Sequence, residues 1–235
     1  MKVALITGAS RGLGRALGEA LAGRGWTLVL DARHPVPLAA AAAAMRRRLG
    51  ESAAVYEIAG DVTSEQHRAA LAAAVGRLGR LDVLVNNAST LGRSPLVSLR
   101  EAPLEDLRRV YDVNVLAPLA LVQGLLPLLR QSPRPTVLNV TSNGAVEHYN
   151  TWGPYGSSKA ALDHLTVTLA AEEPAVRFLA VDPGDMNTQM HQDAFPGEDI
   201  SDRPPPTAVV PAILDLIAGD DGSGRYRAAE IGAAP

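Results

Sequence analysis

Cysteine is absent from the 235 residues. That excludes a disulfide framework, zinc–thiolate sites and a thiolate nucleophile, and it fits a reducing compartment. Aromatic side chains are scarce, with two Trp, five Tyr and two Phe, so the core must be mostly Leu, Val and Ala, and any local cluster of rings is informative. Lysine is rarer still: only Lys2 and Lys159 occur, and arginine carries the rest of the basic charge. There is no excess of positive charge either. The 22 basic and 25 acidic residues leave a formal charge of −3, which argues against a nucleic-acid partner. Long apolar runs are missing: Leu116 to Leu129 is interrupted by Pro118, Gln123, Gly124 and Pro127 and falls short of the ~20 residues of a membrane span. Val3 to Thr7 is too short for a signal-peptide core. The expectation is a soluble cytoplasmic protein without a membrane partner.

With 47% hydrophobic and 20% charged residues, the composition is that of a folded globular chain. Short aliphatic runs alternate with helical patterns throughout. Lys2–Thr7, Thr27–Asp31, Ala53–Ile58, Leu81–Asn86, Thr136–Thr141 and Arg177–Asp182 read as strands buried on both faces. Gly12–Arg24, Leu38–Leu49, Ser64–Leu78, Leu104–Leu129, Ser157–Ala171 and Thr207–Ala218 read as helices. This alternation predicts an α/β, doubly wound, Rossmann-like parallel sheet with helices on both faces. No linker divides it, so residues 1–235 form one domain. The stretch 185–206, ending in Pro204-Pro205-Pro206, is expected as a long excursion over the sheet edge that serves as a lid.

Directly after the first strand comes Thr7-Gly8-Ala9-Ser10-Arg11-Gly12-Leu13-Gly14, leading into a helix. Glycines permit a tight turn and close backbone approach to a pyrophosphate, and the helix N-terminus offers unpaired N–H groups. The expectation is dinucleotide binding. Two residues compete to select the cofactor at the end of the second strand: Asp31 can accept from a ribose diol, and Arg33 can pair with a 2′-phosphate, with Arg11 adding a second guanidinium. The balance favours NADP(H) over NAD(H).

Tyr155 and Lys159 lie four residues apart in a helical stretch, on one face. A phenol with a reference pKa near 10 is brought toward useful acidity by an adjacent ammonium, and Ser142, at the carboxyl edge of the fifth strand, can polarise a reacting oxygen. Proton transfer to or from an oxygen is the chemistry that uses all three.

At these residues the chain resembles the classical short-chain dehydrogenases/reductases, over nearly its whole length and with the motifs in the family's order. Thr7 to Gly14 matches the glycine turn, and Tyr155-x-x-x-Lys159 with Ser142 upstream matches the catalytic set. The resemblance implies that Asp61-Val62 lies at the adenine ring, and that Asn87-Ala88 lies beside the cofactor in the stretch Asn86-Asn87-Ala88-Ser89, where Ser89 replaces the family's usual glycine. It further implies that Asn114 positions a water linking Lys159 to solvent, that Pro183-Gly184 follows the sixth strand, and that Thr188 contacts the nicotinamide carboxamide. The family's NAD-selecting acid aligns with Ala32, and a basic residue just after it, here Arg33, marks NADPH enzymes. The implied activity is hydride transfer between NADPH and a small-to-medium ketone or aldehyde, or the corresponding alcohol, with Tyr155 as general acid/base.

His148, Tyr149 and Trp152 before the catalytic helix, and Met186 and Met190 in the excursion, are the candidate substrate-pocket residues. No pair of histidines stands at i, i+4 and cysteine is missing, so no metal site is expected. After Gly224–Arg227, a candidate short seventh strand, the family's glycine-rich tail is missing. Pairing as a homodimer or homotetramer is therefore expected through the helices 104–129 and 157–171. Two other functions remain open: a non-catalytic dinucleotide sensor, which has no need for Asn114, Ser142, Tyr155 and Lys159 together, and a non-redox use of the tyrosine in dehydration or epimerisation.

Overall fold

A computed structural model describes residues 1–48 and 54–232. Seven strands form one parallel sheet in the order β3-β2-β1-β4-β5-β6-β7. They are β1 (Val3–Ile6), β2 (Thr27–Ala32), β3 (Val55–Ala59), β4 (Val83–Asn86), β5 (Thr136–Val140), β6 (Arg177–Asp182) and β7 (Gly224–Arg227). The expected doubly wound fold is present, seventh strand included. Most strand ends differ from expectation by a residue or two; Ala53 and Leu49, placed by the sequence in a strand and a helix, lie outside the described residues.

The central strands are aliphatic because each face packs under helices, and their side chains alternate between two cores. One core joins Ile6, Leu28, Leu30, Val85 and Leu179 to Leu17 and Leu21 of α1 (Gly12–Ala22), Leu38 and Met45 of α2 (Pro35–Arg46) and Leu214 of α8 (Val210–Ala218). The other joins Leu5, Val29, Leu84, Val137 and Phe178 to Leu71 of α3 (Glu65–Gly76) and Leu121, Leu125 and Leu129 of α5 (Ala117–Leu129). β3 is an edge strand, and its exposed positions hold Tyr56, Glu57 and Ala59.

The strand order reverses at β1, which pairs β2 on one side and β4 on the other. Such a reversal opens a crevice beyond the carboxyl ends of the strands. Two departures from the expected helices matter there. The helical run from Leu104 to Leu129 consists of α4 (Leu104–Tyr111), a π-helical turn (Asp112–Leu116) and α5. It is long and apolar enough to cross a membrane by length and composition alone, which Leu116–Leu129 was not, and a little under half of its most apolar window is buried inside the fold. The inserted turn carries Asn114, fully buried; π-helical turns of this kind concentrate at functional sites.

The second departure is α6, which begins at Gly153 rather than Ser157 and runs to Glu172. Pro154 starts it, since the missing N–H and fixed φ suit a first turn. Tyr155 is thereby helical from the outset. A polar ladder pins α6 to the sheet: Asn86 Nδ2 donates to Asn139 Oδ1 at 2.8 Å, and Asn139 Nδ2 donates to Thr166 Oγ1 at 2.8 Å. At the other end, α6 touches the short 3-10 turn Asn143–Ala145 so closely that a Cβ on Gly156 would stand 2.6 Å from the Gly144 carbonyl oxygen. Glycine at 156 lets the tyrosine helix meet the serine turn. The substitution Gly156→Ala is expected to cost about 1–3 kcal/mol in urea denaturation, as overpacking against backbone does; an unchanged midpoint would show that the contact relaxes freely.

Candidate active site

A cavity of about 710 Å³ follows the carboxyl edge of the sheet from the end of β2 to the Asp182–His191 segment. Its phosphate end is built by backbone. Gly8 and Gly12 sit in the left-handed region, with φ of +66° and +56°. α1 starts at Gly12 with no side-chain cap, so its first N–H groups stay available for an anion. The turn is fastened to the β4 end: Thr7 Oγ1 accepts from the N–H groups of Asn87 and Ala88, both at 3.0 Å, and Asn87 Nδ2 donates to the carbonyls of Thr7 and Gly8 at 2.9 and 3.2 Å. A Cβ on Gly14 would stand 2.4 Å from Asn87 Nδ2 and 2.5 Å from the Gly8 oxygen. Gly14 is thus needed for packing beneath the turn, and it does not line the cavity as Gly8, Ser10, Arg11, Gly12 and Leu13 do.

At the end of β2 the two competing residues, Asp31 and Arg33, both border the cavity but in different settings. Asp31 is buried, and its Oδ1 lies 2.6 Å from Nε2 of His67, which is itself buried on α3. Burial pushes the Asp31 carboxyl above its ordinary value while His67 pulls it back down. That carboxylate is paired with His67, although Asp31 still borders the cavity. Arg33 is exposed at the cavity wall and makes no ion pair among the described residues. Asp61 and Val62 line the same end. Burial works to raise the Asp61 carboxyl, but hydrogen bonds from Thr63 and the guanidiniums of Arg33 and Arg109 hold it below its usual range. Arg109, on α4, was not among the sequence candidates; nothing in its local pattern marks it.

At the other end Ser142, Tyr155 and Lys159 converge on the cavity. Lys159 is among the largest fully enclosed side chains of the protein. Its Nζ donates to the Val140 carbonyl at 2.7 Å and lies 5.6 Å from the centre of the Tyr155 ring. Burial pushes the lysine down to about 8, with Asp163 opposing. Burial also pushes the Tyr155 phenol up to about 12; the Ser142 and Ser89 hydroxyls pull it down, and the Asp182 carboxylate adds to the rise. Lys159 is turned to Val140, and burial leads the causes that raise the phenol.

Behind these groups stands Arg225, from β7. Its Nε donates to Asp163 Oδ2 at 3.0 Å, and its Nη2 donates to the Ser142 carbonyl at 3.1 Å and to Asp182 Oδ2 at 3.2 Å. One guanidinium thus holds the serine strand end and balances the two carboxylates nearest the tyrosine and the lysine. Local pattern marks Arg225 only as an arginine in a candidate strand.

Asn114 does not line the cavity. Its Oδ1 accepts from Ser89 Oγ at 3.1 Å and from the Thr90 N–H at 2.9 Å, and its Nδ2 donates to the Thr90 carbonyl at 2.9 Å and to Ser158 Oγ at 3.0 Å. Both donors and both acceptor positions of the amide are filled by protein, so the side chain ties the Ser89-Thr90 loop to α6 through Ser158.

Around the mouth, Trp152, Met186 and Met190 line the cavity as expected, with Pro183, Gly184 and Thr188 beside them. Thr188 also caps α7 (Gln189–Ala194) by accepting from the His191 N–H at 3.2 Å. His148 and Tyr149 do not line the cavity: both are exposed, and the Tyr149 hydroxyl is taken by Glu147 and Asn143. Tyr149 only backs Trp152 edge-on, at 6.4 Å between ring centres. Trp152 packs against Tyr155 and Phe195 at 5.7 and 5.8 Å, and Leu91, Leu96, Met190 and Ala194 complete an apolar cluster. Ser89, Thr90, Leu91, Asn143, Asn187 and His191 also line the cavity; of these Ser89 stood out in the sequence, as a departure from the family's glycine.

A glycine turn at the switch point of a doubly wound sheet, with a tyrosine–lysine–serine set at the carboxyl edge, defines a dinucleotide-binding fold equipped for proton transfer. Residues 2–199 match the short chain dehydrogenase family, and the chain belongs to that family of NAD(P)-using oxidoreductases. It is 36% identical over 200 residues to the benzil reductase ((S)-benzoin forming) of Saccharomyces cerevisiae, covering 82% of this chain and 74% of that protein. It is 35% identical over 207 residues to the sepiapterin reductase of Rattus norvegicus, covering 81% and 76%. A short chain dehydrogenase from Shigella flexneri 2a, solved in complex with NADP, superposes with a TM-score of 0.88 at 28% identity, covering 97% of each chain.

The lysine makes stability depend on pH. Its pKa is lowered from 10.5 to about 8 in the folded protein, so the unfolded chain holds the proton more tightly and stability from this group rises as pH climbs through that window. The cost of burying the ammonium is borne in full at neutral pH. The Lys159→Met variant is therefore expected to melt above the wild type at neutral pH, with the gap closing between about 8 and 10.5. A variant that melts lower at neutral pH would contradict it.

Proposed function

We propose that this chain is an NADPH-dependent carbonyl reductase that acts on small-to-medium ketones or aldehydes, or on the matching alcohols in reverse. The observation that carries this reading is the convergence of Tyr155, Ser142 and Lys159 on the cavity next to the glycine turn. Arg33, exposed at the end of β2 and without an ion pair among the described residues, together with Arg11 favours a 2′-phosphate, and the pairing of Asp31 with His67 weakens the competing acceptor. The benzil and sepiapterin reductases among its relatives and the NADP-bound neighbour agree with both parts of the proposal.

The bound cofactor supplies the hydride. The chain's own residues do the rest. Ser142 hydrogen-bonds the carbonyl oxygen, and Tyr155, held protonated by burial, gives that oxygen its proton as the carbon is reduced. Lys159, which donates to the Val140 carbonyl here, would hold the nicotinamide ribose and stabilise the phenolate left behind. Thr188 and the Pro183-Gly184 turn border the carboxamide position. Trp152, Met190 and Phe195 form the apolar wall that excludes water, and the segment 185–206 serves as the lid. A dinucleotide sensor would not need a sealed tyrosine and lysine, and no observation favours dehydration or epimerisation. Exposed Leu104, Leu116 and Val167 on α4, the π-helical turn and α6 support pairing of copies through these helices.

The test is NADPH oxidation across a panel of benzil, a pterin ketone and simple aldehydes. Turnover with NADPH is expected, with NADPH bound about tenfold or more tightly than NADH. Tyr155→Phe should lower kcat by at least about 10²-fold while leaving NADPH affinity within a factor of about two. Wild-type kcat in that variant would remove Tyr155 from the mechanism.

A further inference from the structure

Arg225 stands outside the motifs of the sequence, yet its side chain joins the three elements that carry the site. Ser142 lies just past β5, Tyr155 and Lys159 stand on α6, and the Pro183-Gly184 turn follows β6. One guanidinium from β7 touches all three elements. Its Nε donates to Asp163 Oδ2 at 3.0 Å, and its Nη2 donates to the Ser142 carbonyl at 3.1 Å and to Asp182 Oδ2 at 3.2 Å. We propose that Arg225 is a positioning residue for the proposed reaction: a clasp that fixes Ser142 and the Pro183-Gly184 turn against the face of α6 that carries Tyr155 and Lys159.

Each contact leads on to a part of the site. Asp163 lies one helical turn beyond Lys159 and two beyond Tyr155, on the same face of α6. Asp182 accepts from the Gly184 N–H through its other oxygen, Oδ1, at 3.0 Å, so the clasp extends to that turn through one carboxylate. Ser142 also bonds within its own turn: Oγ accepts from the Gly144 N–H at 3.1 Å and donates to Asn143 Oδ1 at 3.2 Å, and the carbonyl accepts from the Ala145 N–H at 3.0 Å. Those bonds shape the turn; Arg225 ties its backbone to α6 and β6. The partners are well shielded, with the Asp182 and Asp163 side chains 4% and 14% exposed, so their charges need a partner that stays in place. Arg227 Nε, at 4.0 Å from Asp182 Oδ2, is too distant to take over the hydrogen bond. Bonds to three acceptors in fixed directions suit the planar fork of arginine; an ammonium keeps the charge and loses the geometry.

This inference rests on the oxidoreductase reading, and the experiment separates the two. At saturating NADPH, kcat is measured per NADPH-binding site, counted by fluorescence titration, on the most active compound of the panel. Wild type is compared with Arg225→Ala, Arg225→Lys and the double variant Asp163→Asn/Arg225→Ala. Counting sites leaves out unfolded molecules, so a loss of stability alone does not move this number. In Arg225→Ala the kcat per site is expected to fall about 10–100-fold, the scale of small misplacements of reacting groups, with KM changed much less. Arg225→Lys, which keeps the charge, is expected to lose at least about tenfold as well. The double variant removes the uncompensated Asp163 charge and leaves the Ser142 carbonyl unheld, so its loss of kcat persists. Wild-type kcat per site in Arg225→Lys or in the double variant would overturn the proposal, since charge balance alone would then explain Arg225. A change confined to KM would overturn it too. All of these results leave the oxidoreductase reading intact, whereas no wild-type turnover across the panel would overturn both.

Discussion

Removal of water from one phenol and one ammonium, a helical turn apart on α6, is the constraint on which the site depends. Each group is driven toward its neutral form: the Tyr155 phenol rises to about 12 and Lys159 falls to about 8. Neither shift needs the other residue as its main cause. A buried neutral phenol is a proton donor that does not leak its proton to solvent, and a partly discharged lysine can change partners at small cost. The surrounding charges limit both shifts. Asp182 opposes ionisation of the tyrosine, Asp163 supports that of the lysine, and Arg225 ties the two carboxylates to the backbone of Ser142.

The sheet explains why these groups meet. Reversal of strand order at β1 opens the crevice, and the Thr7–Asn87 fastening closes its phosphate end. The Asn86–Asn139–Thr166 ladder sets the height of α6 against the sheet, and Gly156 sets its distance from the Ser142 turn. β7 delivers its arginine from the far edge. Elements distant in sequence thus share responsibility for one proton, and backbone closeness, more than side-chain number, determines where that proton sits.

Local pattern made much of this legible. Aliphatic runs buried on both faces reveal parallel strands; a glycine turn between strand and helix reveals a phosphate site; Tyr155 and Lys159 declare themselves by helical spacing and by the rarity of lysine. What stayed hidden depends on contacts far apart in the chain. Asp31 looks like a free ribose ligand until His67, 36 positions away, is seen against it. Tyr149 and His148 share a ring-rich stretch with Trp152 and Tyr155, but they precede α6 and turn outward, because the Glu147 and Asn143 side chains capture the Tyr149 hydroxyl. Asn114 was found as a residue, but its side-chain partners were not legible, since a π-helical turn leaves no trace in periodicity. Ser89 was visible only as an unusual letter, and its partner, the Asn114 amide, comes from the buried π-helical turn.

The central claim is that burial, rather than the neighbouring ammonium, governs the Tyr155 proton in the cofactor-free protein. Tyrosinate absorbance followed against pH, taken as the difference between wild type and Tyr155→Phe, measures this ionisation alone. The account predicts that Tyr155 is still protonated at the ordinary tyrosine value of 10 and half-ionised near 12. Half-ionisation at or below 10 would contradict it.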